Sequence, residues 1–282
     1  MKRIILTGDG RKPAIAAAVS ELLPWLRERA EVVAVDLGMD RDLQKSDADL
    51  VVILGGDGAI LSAARRLGRN QIPAIGVNLG KFGFLAEVLP GEFRERFSDI
   101  LAGRYRLSPR MMLRCVLRRG GQVLGEHLAL NDVVVSRGAL SRLVTIGLFV
   151  DGAWTTTYNG DGVIVATPTG STAHSLSAGG PVIDPAVEAI VVTPICPHTL
   201  ANRPVVLPAG VKAELRVEAT PVVVGLTIDG QVYQELAAGD RIAVERASVA
   251  FNLIDLGLRT YYDTLREKLH WGGSAVAGRR RD

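Results

Sequence analysis

The sequence predicts an α/β domain built on a parallel sheet, then an all-β domain of the sandwich type, with the C-terminal segment returning to the first. Three observations predict it. Over residues 1 to about 105, short apolar runs alternate with stretches of helical periodicity, the βαβα order of a parallel sheet covered on both faces. From about 106, strand-like runs separated by turn residues replace the helical stretches. From Asp255 to His270 the texture is helical again, with Leu265 and Leu269 on one face. The expected division is 1–105, completed by 254–282, and 106–253.

Arg3 to Leu6 reads as the first strand. Thr7-Gly8-Asp9-Gly10 then turns into a helix beginning near Pro13, a residue suited to the first helical position. Glu31–Val35 is the second strand. Leu50–Leu54 is an unbroken apolar run containing Val51, Val52 and Ile53, the mark of a strand buried on both faces. Gly55, Gly56 and Gly58 turn it into a helix carrying Ile60, Leu61, Ala63, Ala64 and Leu67 at helical spacing. Ile72–Val77 is a fourth strand and Glu92–Leu101 a further helix. This is a Rossmann-like order, and its ligands bind beyond the carboxyl ends of the strands.

In the second part, strands are expected at Met111–Arg118, Gln122–Leu124, Asp132–Val135, Leu143–Val150, Trp154–Tyr158 and Val163–Ala166. More follow at Ala189–Thr193, Val205–Leu207, Ala213–Glu218, Val222–Ile228, Val232–Tyr233 and Arg241–Ala247. Gly120-Gly121 and Asp151-Gly152 read as hairpin turns.

Composition narrows the function classes. A chain of 282 residues with 48% hydrophobic and 22% charged residues is globular and long enough for two domains. A net charge of +3 is too mild to argue for nucleic acid, while tolerating anionic ligands. With only Cys115 and Cys196 there is no disulfide framework and no cysteine zinc site, and four scattered His residues suggest no metal site of the protein's own. The first apolar run is too short for a signal peptide, and no stretch approaches the ~18 residues of a membrane span. A cytoplasmic protein is expected, with 278–282 as a solvated tail.

The chemistry concentrates at turns. Gly55, Gly56 and Gly58 let a backbone approach a ligand and point helix N–H groups at it, which suits a phosphate. Asp57 alters that reading, because a bare carboxylate repels a phosphate bound there. It accepts a hydroxyl proton, coordinates Mg²⁺, or both; as a cap it would merely satisfy orphan N–H groups, worth about 1 kcal/mol. No G-x-G-x-x-G fingerprint and no Walker spacing occurs. In the glycine-interrupted Asn78–Leu85, either Phe82 or Phe84 packs against a planar base, or both are core; Lys81 is a candidate phosphate contact.

Asn131-Asp132 stands at the mouth of a strand, an amide for an adenine edge or ribose and a carboxylate for a hydroxyl pair. The same pair is also ordinary turn chemistry. From Thr169 to Thr172 three hydroxyls and a glycine precede a small-residue helix. They offer N–H donors and hydroxyls to a polar ligand edge. His174 stacks or hydrogen-bonds within that pocket, or is structural. Asp229-Gly230-Gln231 reads as a turn.

Taken together these blocks resemble the NAD kinase family. The matching pieces are Gly-Gly-Asp-Gly at 55–58, Asn-Leu-Gly-x-x-Gly-Phe-Leu at 78–85, Asn-Asp at 131–132 and Gly-Asp-Gly at 160–162. They continue with Thr-Pro-Thr-Gly-Ser-Thr-Ala at 167–173, Pro-Ile-Cys-Pro-His-Thr-Leu at 194–200, Asp-Gly-Gln at 229–231 and Leu-Arg-Glu-Lys-Leu-x-Trp-Gly-Gly at 265–273. The resemblance implies phosphorylation of the adenosine ribose 2′-hydroxyl of NAD to NADP, from ATP or polyphosphate with Mg²⁺. It implies a homodimer or homotetramer without nucleic-acid or membrane partners.

By the same resemblance Asp57 is the base or orients the hydroxyl, with Gly56 and Gly58 in the phosphate turn. Asn131 and Asp132 hold adenine and ribose. Thr169, Thr172 and Ala173 line the adenine pocket beside Phe84 and His174. Asp161 lies near the nicotinamide end, often completed by a neighbouring subunit. Three positions depart from the family's habit: Ala59 stands for Thr, Asp132 for Glu, and His174 for Tyr. The competing classes are another kinase with the Gly-Gly-Asp-Gly turn, such as a lipid kinase or phosphofructokinase, an NAD-dependent dehydrogenase, and a non-catalytic dinucleotide sensor. The hydroxyl turn argues against the first and Asp57 against the second.

Overall fold

Leu50–Leu54 is a strand with all five residues buried, and the α/β half of the molecule assembles around it. The computed structural model describes residues 1–80, 83–138, 143–199, 201–218 and 223–271. Lys81, Phe82, Val222 and the 278–282 tail therefore lie outside the described residues. In chain order the first elements are β1 (Arg3–Gly8), α1 (Pro13–Arg27), β2 (Glu31–Asp36), β3 (Leu50–Leu54), α2 (Asp57–Leu67), β4 (Ala74–Val77) and α3 (Pro90–Leu101). Strands β2-β1-β3-β4 lie side by side and parallel.

Period-two side-chain alternation sends Leu6 and Val52 to one face and Ile5 and Val51 to the other. The first set packs with Leu22 and Leu26 of α1 and Phe93 and Phe97 of α3. The second packs with Ile60, Ala64 and Leu67 of α2. A strand apolar on both faces is thus used on both faces.

The all-β half comprises β5 (Arg106–Arg119), β6 (Gln122–Ala129), β7 (Asp132–Arg137), β8 (Val144–Val150), β9 (Ala153–Gly160) and β10 (Gly162–Ala166). A 3-10 turn (Thr169–Thr172) and the four-residue α4 (His174–Ser177) lead to β11 (Ala189–Ile195), β12 (Val205–Pro208), β13 (Ala213–Val217), β14 (Val224–Ile228) and β15 (Val232–Leu236). The chain closes with β16 (Arg241–Asp255) and α5 (Tyr261–Lys268). One leaf is the antiparallel sheet β12-β11-β10-β7-β14-β15. Its Val133, Val135, Val163 and Val165 pack against Leu113, Leu117, Ile146 and Leu148 of the other leaf. Gly120, Gly121, Asp151 and Gly152 all have positive φ at their hairpin turns, as expected.

The main departure from the sequence reading is β16, expected to stop at Ala247 and continuing to Asp255. Ile242 and Val244 are buried, and the alternation resumes at Phe251 and Leu253 after an irregularity between Arg246 and Ala250. The interruption hides the continuity from a period count. The strand pairs with β13 at its start, runs antiparallel to β5, and meets β4 at Leu253 beside Ala74. It joins the parallel sheet and the second leaf into one sheet, ten-stranded among the described residues. The return to the α/β half is therefore made first by a strand. The helix starts only at Tyr261, capped by Thr260, which accepts the Asp263 N–H. No helix among the described residues is long and apolar enough to cross a membrane.

Candidate active site

At the carboxyl end of β3 the chain turns through Gly55, with φ +136°, and Asp57 becomes the first residue of α2. Its carboxylate faces the segment after β4. One oxygen accepts the Phe84 N–H (2.8 Å) and the other those of Leu85 (3.0 Å) and Ala86 (3.1 Å). Gly83 permits this closeness, since a Cβ there would lie 1.9 Å from an Asp57 oxygen. Buried Asn78 pins the same segment: its amide donates to the Ala86 carbonyl (3.0 Å) and its side-chain oxygen accepts the Gly80 N–H (2.8 Å). The conspicuous Asn and Gly of 78–85 thus shape a loop that grips Asp57. The Phe84 ring packs 6.4 Å from that of Tyr261.

A second carboxylate does the same work at the mouth of β7. Asp229, with φ +50°, accepts the N–H groups of Leu130 (3.1 Å), Asn131 (2.8 Å) and Asp132 (3.1 Å). Its buried charge is paired by Arg65 of α2 at 3.0 Å. Arg65 also donates to the Gln231 side chain, and Gln231 donates to the Gly58 carbonyl at 2.8 Å. The Asp229–Gln231 turn therefore ties the Asn131-Asp132 strand mouth to the glycine turn.

The 167–173 turn closes over the same place. Thr167 donates to the Leu130 carbonyl (2.6 Å) and its N–H reaches that of Asn131 (2.9 Å). Gly170 presses so close that a Cβ would lie 2.1 Å from the Asn131 oxygen. Ser171 is turned inward, donating to the Pro168 carbonyl and accepting from Ile183, and Thr172 donates back to the Thr169 carbonyl. Of the hydroxyls expected to face a ligand, these two hold the turn together, and Thr169 is buried.

Two cavities meet at the Asp229–Gln231 turn. A cavity of about 340 Å³ gathers Asn131, Asp132, Ala173 and His174 with Asp229 and Gly230. Burial, then the neighbouring Asp229, pushes the Asp132 carboxyl up to about 7. A more open cavity of about 510 Å³ lies against Gly55, Gly56 and Gly58, with Arg11, Lys12, Arg65 and Gln231 on its walls. Arg11 pairs with Asp9 at 2.8 Å and holds that carboxyl below its usual range.

Asp161 is not brought to either cavity. It pairs with Arg137 at 2.6 Å, which lowers its carboxyl, at the opposite end of β10 from Thr167. At the rise of an extended strand that is roughly 20 Å away. Sequence reasoning missed Arg11, Lys12, Arg65 and the anchoring role of Asp229. The available signals were Arg11-Lys12 directly after a glycine turn, and Asp-Gly-Gln in a chain that spends its glycines at sites.

The fold and these cavities suit a nucleotide-binding phosphotransferase: a glycine turn with cations on one side, a nucleoside-sized pocket on the other, and a clasped carboxylate, Asp57, between the two glycines of that turn. Comparison with known proteins gives the particular family. Residues 41–105 match the ATP-NAD kinase N-terminal domain and 130–256 the ATP-NAD kinase C-terminal domain. The chain is 43% identical over 281 residues to the NAD kinase of Geobacter metallireducens, covering 96% of this chain and 99% of that one. It is 39% identical to the NAD kinase of Rhodopirellula baltica over 271 residues, 96% of this chain and 87% of the relative. The structure of yeast NADH kinase complexed with NADH matches 99% of this chain and 90% of its own, with TM-score 0.90 and 27% identity. An Archaeoglobus fulgidus NAD kinase in complex with ATP matches 96% and 100%, with TM-score 0.76 and 25% identity. The chain belongs to the NAD kinase family.

Proposed function

We propose that this protein transfers a phosphoryl group from ATP, or polyphosphate, to the 2′-hydroxyl of the adenosine ribose of NAD, giving NADP. The observation that carries the reading is the meeting of the two cavities at the Asp229–Gln231 turn, which is hydrogen-bonded to Gly58, the residue after Asp57. The smaller takes the adenosine: Asn131 offers donor and acceptor, Asp132 the ribose hydroxyls, and Ala173 and His174 the wall, with Thr169, Thr172 and Phe84 supporting that side. The larger takes the donor phosphates on the amides of Gly56 and Gly58 and the charges of Arg11 and Lys12. Asp57 orients the attacking hydroxyl and receives its proton. Catalysis of this kind is mostly positioning and charge neutralisation.

Mg²⁺ fits as a companion of the donor. Among the described residues no cluster of three His, Cys, Asp or Glu forms a cage, and Mg²⁺ is ordinarily held by one or two carboxylates plus phosphate oxygens. Asp57 is the side chain that would share it, and the ion supplies neutralisation of phosphate charge. We further infer a homo-oligomer in which Asp161 serves a neighbour's site, since it stands far from its own chain's cavities. The division at 105/106 and a cytoplasmic address belong to the same reading; both cysteines stand as free thiols, as in a reducing compartment.

The test is NADP formation from NAD and Mg²⁺ with ATP or polyphosphate. Asp57→Asn leaves NAD binding near normal and lowers turnover by about 10²-fold or more, as for a lost general base. Near-normal turnover in that variant would remove Asp57 from the mechanism.

A further inference from the structure

A second cavity lies away from the nucleotide cleft. It measures about 880 Å³ and opens between the β5–β16 irregularity, the Asp184–Glu188 segment and the start of α5. An inner cavity of about 320 Å³ adjoins it, sharing Arg106, Ser108, Arg110, Asp255 and Tyr261 as lining and continuing inward to Leu85 and Val88. Arg110 stands between the two.

The charges around Arg110 are spoken for. Arg106 pairs with Asp255 at 2.9 Å, Arg246 pairs with Glu188 at 2.6 Å, and Asp184 accepts the Tyr262 hydroxyl at 2.8 Å. Glu87 accepts the Thr264 hydroxyl at 3.0 Å, and burial pushes its carboxyl up against the opposing pull of that hydrogen bond, Arg110 and Arg259. Arg110 itself has a buried Nε without a hydrogen-bond partner, and the carboxylates of Glu87, Asp184 and Asp255 act on its guanidinium only through space, too weakly to offset the burial that lowers its pKa. A buried guanidinium N–H without an acceptor is costly unless an oxyanion supplies one. Its five donors in a planar fork match phosphate and carboxylate oxygens. Tyr261 adds an aromatic face at the same rim, its hydroxyl donating to the Ile183 carbonyl at 3.4 Å, and the inner wall is apolar at Leu85, Val88 and Leu253.

We propose that these paired cavities are a second ligand site, for a small organic molecule carrying a phosphate or a carboxylate, and that its occupancy adjusts phosphoryl transfer. The oxyanion sits on Arg110, and the body of the molecule fills the inner cavity against the Tyr261 ring. The connection to the reaction is short. Leu85 lines the site and gives its N–H to Asp57. Phe84, whose N–H is also on Asp57, packs its ring against Tyr261. An occupant therefore bears on two of the three residues that grip the carboxylate.

The probes are phenyl phosphate and benzoate, titrated calorimetrically into the full-length chain saturated with NAD. The expected result is saturable binding of one or both, weakened at least about tenfold in Arg110→Gln and in Ala186→Trp, which fills the outer cavity while leaving Arg110 in place. Preference for phenyl phosphate identifies a phosphate ligand, and preference for benzoate a carboxylate. NAD affinity and thermal unfolding check both variants; if Arg110→Gln fails to fold, Ala186→Trp carries the test. Absence of saturable heat overturns the site, as does binding that survives in either folded variant. At saturating NAD and donor, kcat shifts at least twofold with probe in the wild type and not in the variants. Binding with unchanged kcat overturns the regulatory half. The binding arm is independent of the kinase reading, whereas the turnover arm rests on it.

Discussion

Gly83→Ala is the sharpest perturbation of the proposed mechanism, because it touches no ligand and strikes only the grip on Asp57. An added Cβ would lie 1.9 Å from one Asp57 oxygen, 2.4 Å from Cγ and 2.5 Å from the other oxygen. Real Cβ contacts essentially never fall under 3.0 Å, so loop or carboxylate must move by about 1.1 Å. The glycine has an ordinary φ, so the effect is one of space and not of backbone strain. Moving the loop stretches three N–H···O bonds to a charged acceptor, each worth ~1.5–3 kcal/mol. Moving Asp57 misplaces the base, and a displacement of ~1 Å costs on the order of 10²-fold in rate. Either way kcat for NADP formation falls about 10²-fold. Equilibrium NAD binding falls less than kcat, by no more than about tenfold or ~1.4 kcal/mol, because Phe84 is the one proposed adenosine contact in the displaced loop while Asn131 and Asp132 stand at the mouth of another strand. Steady-state kinetics with saturating NAD and donor, beside a direct binding measurement, separate the two. A Gly83→Ala enzyme with turnover within about threefold of wild type would refute the claim that the 84–86 amides fix the base.

Two further predictions concern the flanking cavities. Burial raises Asp132 to about 7 in the folded chain from an ordinary carboxylate value when unfolded. The folded state therefore binds the extra proton, and its contribution to stability, complete below about pH 4, is lost as pH rises toward 7. Asp132→Asn should gain on the wild type by at most about 1.4 kcal/mol per pH unit across that window, read by denaturant unfolding at pH 4.5, 6 and 7.5. A gap that does not vary with pH would show that Asp132 titrates normally. The paired change Arg11→Ala, Lys12→Ala should raise the KM for ATP at least about tenfold, the loss expected of one or two ionic contacts worth ~1.5–3 kcal/mol each. NAD affinity should stay unchanged, and an equal loss for both substrates would relocate the donor site.

Much of this fold was legible because its strands are unusually explicit. Leu50–Leu54 is apolar throughout, with three β-branched residues bounded by a glycine turn, so it reads as a strand covered on both faces, and it is one. The hairpins at Gly120-Gly121 and Asp151-Gly152 were legible because only a few residue types accept two consecutive positive φ values. What escaped was the length of β16. Ala247, Ser248 and Val249 break the alternation there, and an irregularity in one strand looks like the end of two. The joining of the two sheets was hidden for the same reason, since it depends on residues 251–255 remaining extended. At the candidate site, Asp57 stood out because a carboxylate is unexpected in an anion-friendly turn. Asp229 did not, because Asp-Gly is among the commonest turn signals, and nothing in a local window shows that its side chain points at amides 97 to 99 residues away.

Asp57 and Asp229 are the same device put to two uses, and the difference between them is countable. An ionised carboxylate has about four acceptor positions. Each aspartate fills three with the amides of three consecutive residues, 84–86 in one case and 130–132 in the other. Such a clasp turns a glycine-rich or strand-end segment into a fixed surface, because six main-chain groups are held by two side chains. Asp229 fills its fourth position with Arg65, so its charge is spent on holding α2 against the strand mouth. Asp57 has no such cation among the described residues, which leaves its fourth position for the proposed hydroxyl or Mg²⁺. The structural carboxylate and the one proposed to be catalytic differ by one arginine, and that arginine, through Gln231 and Gly58, is what keeps the two in register.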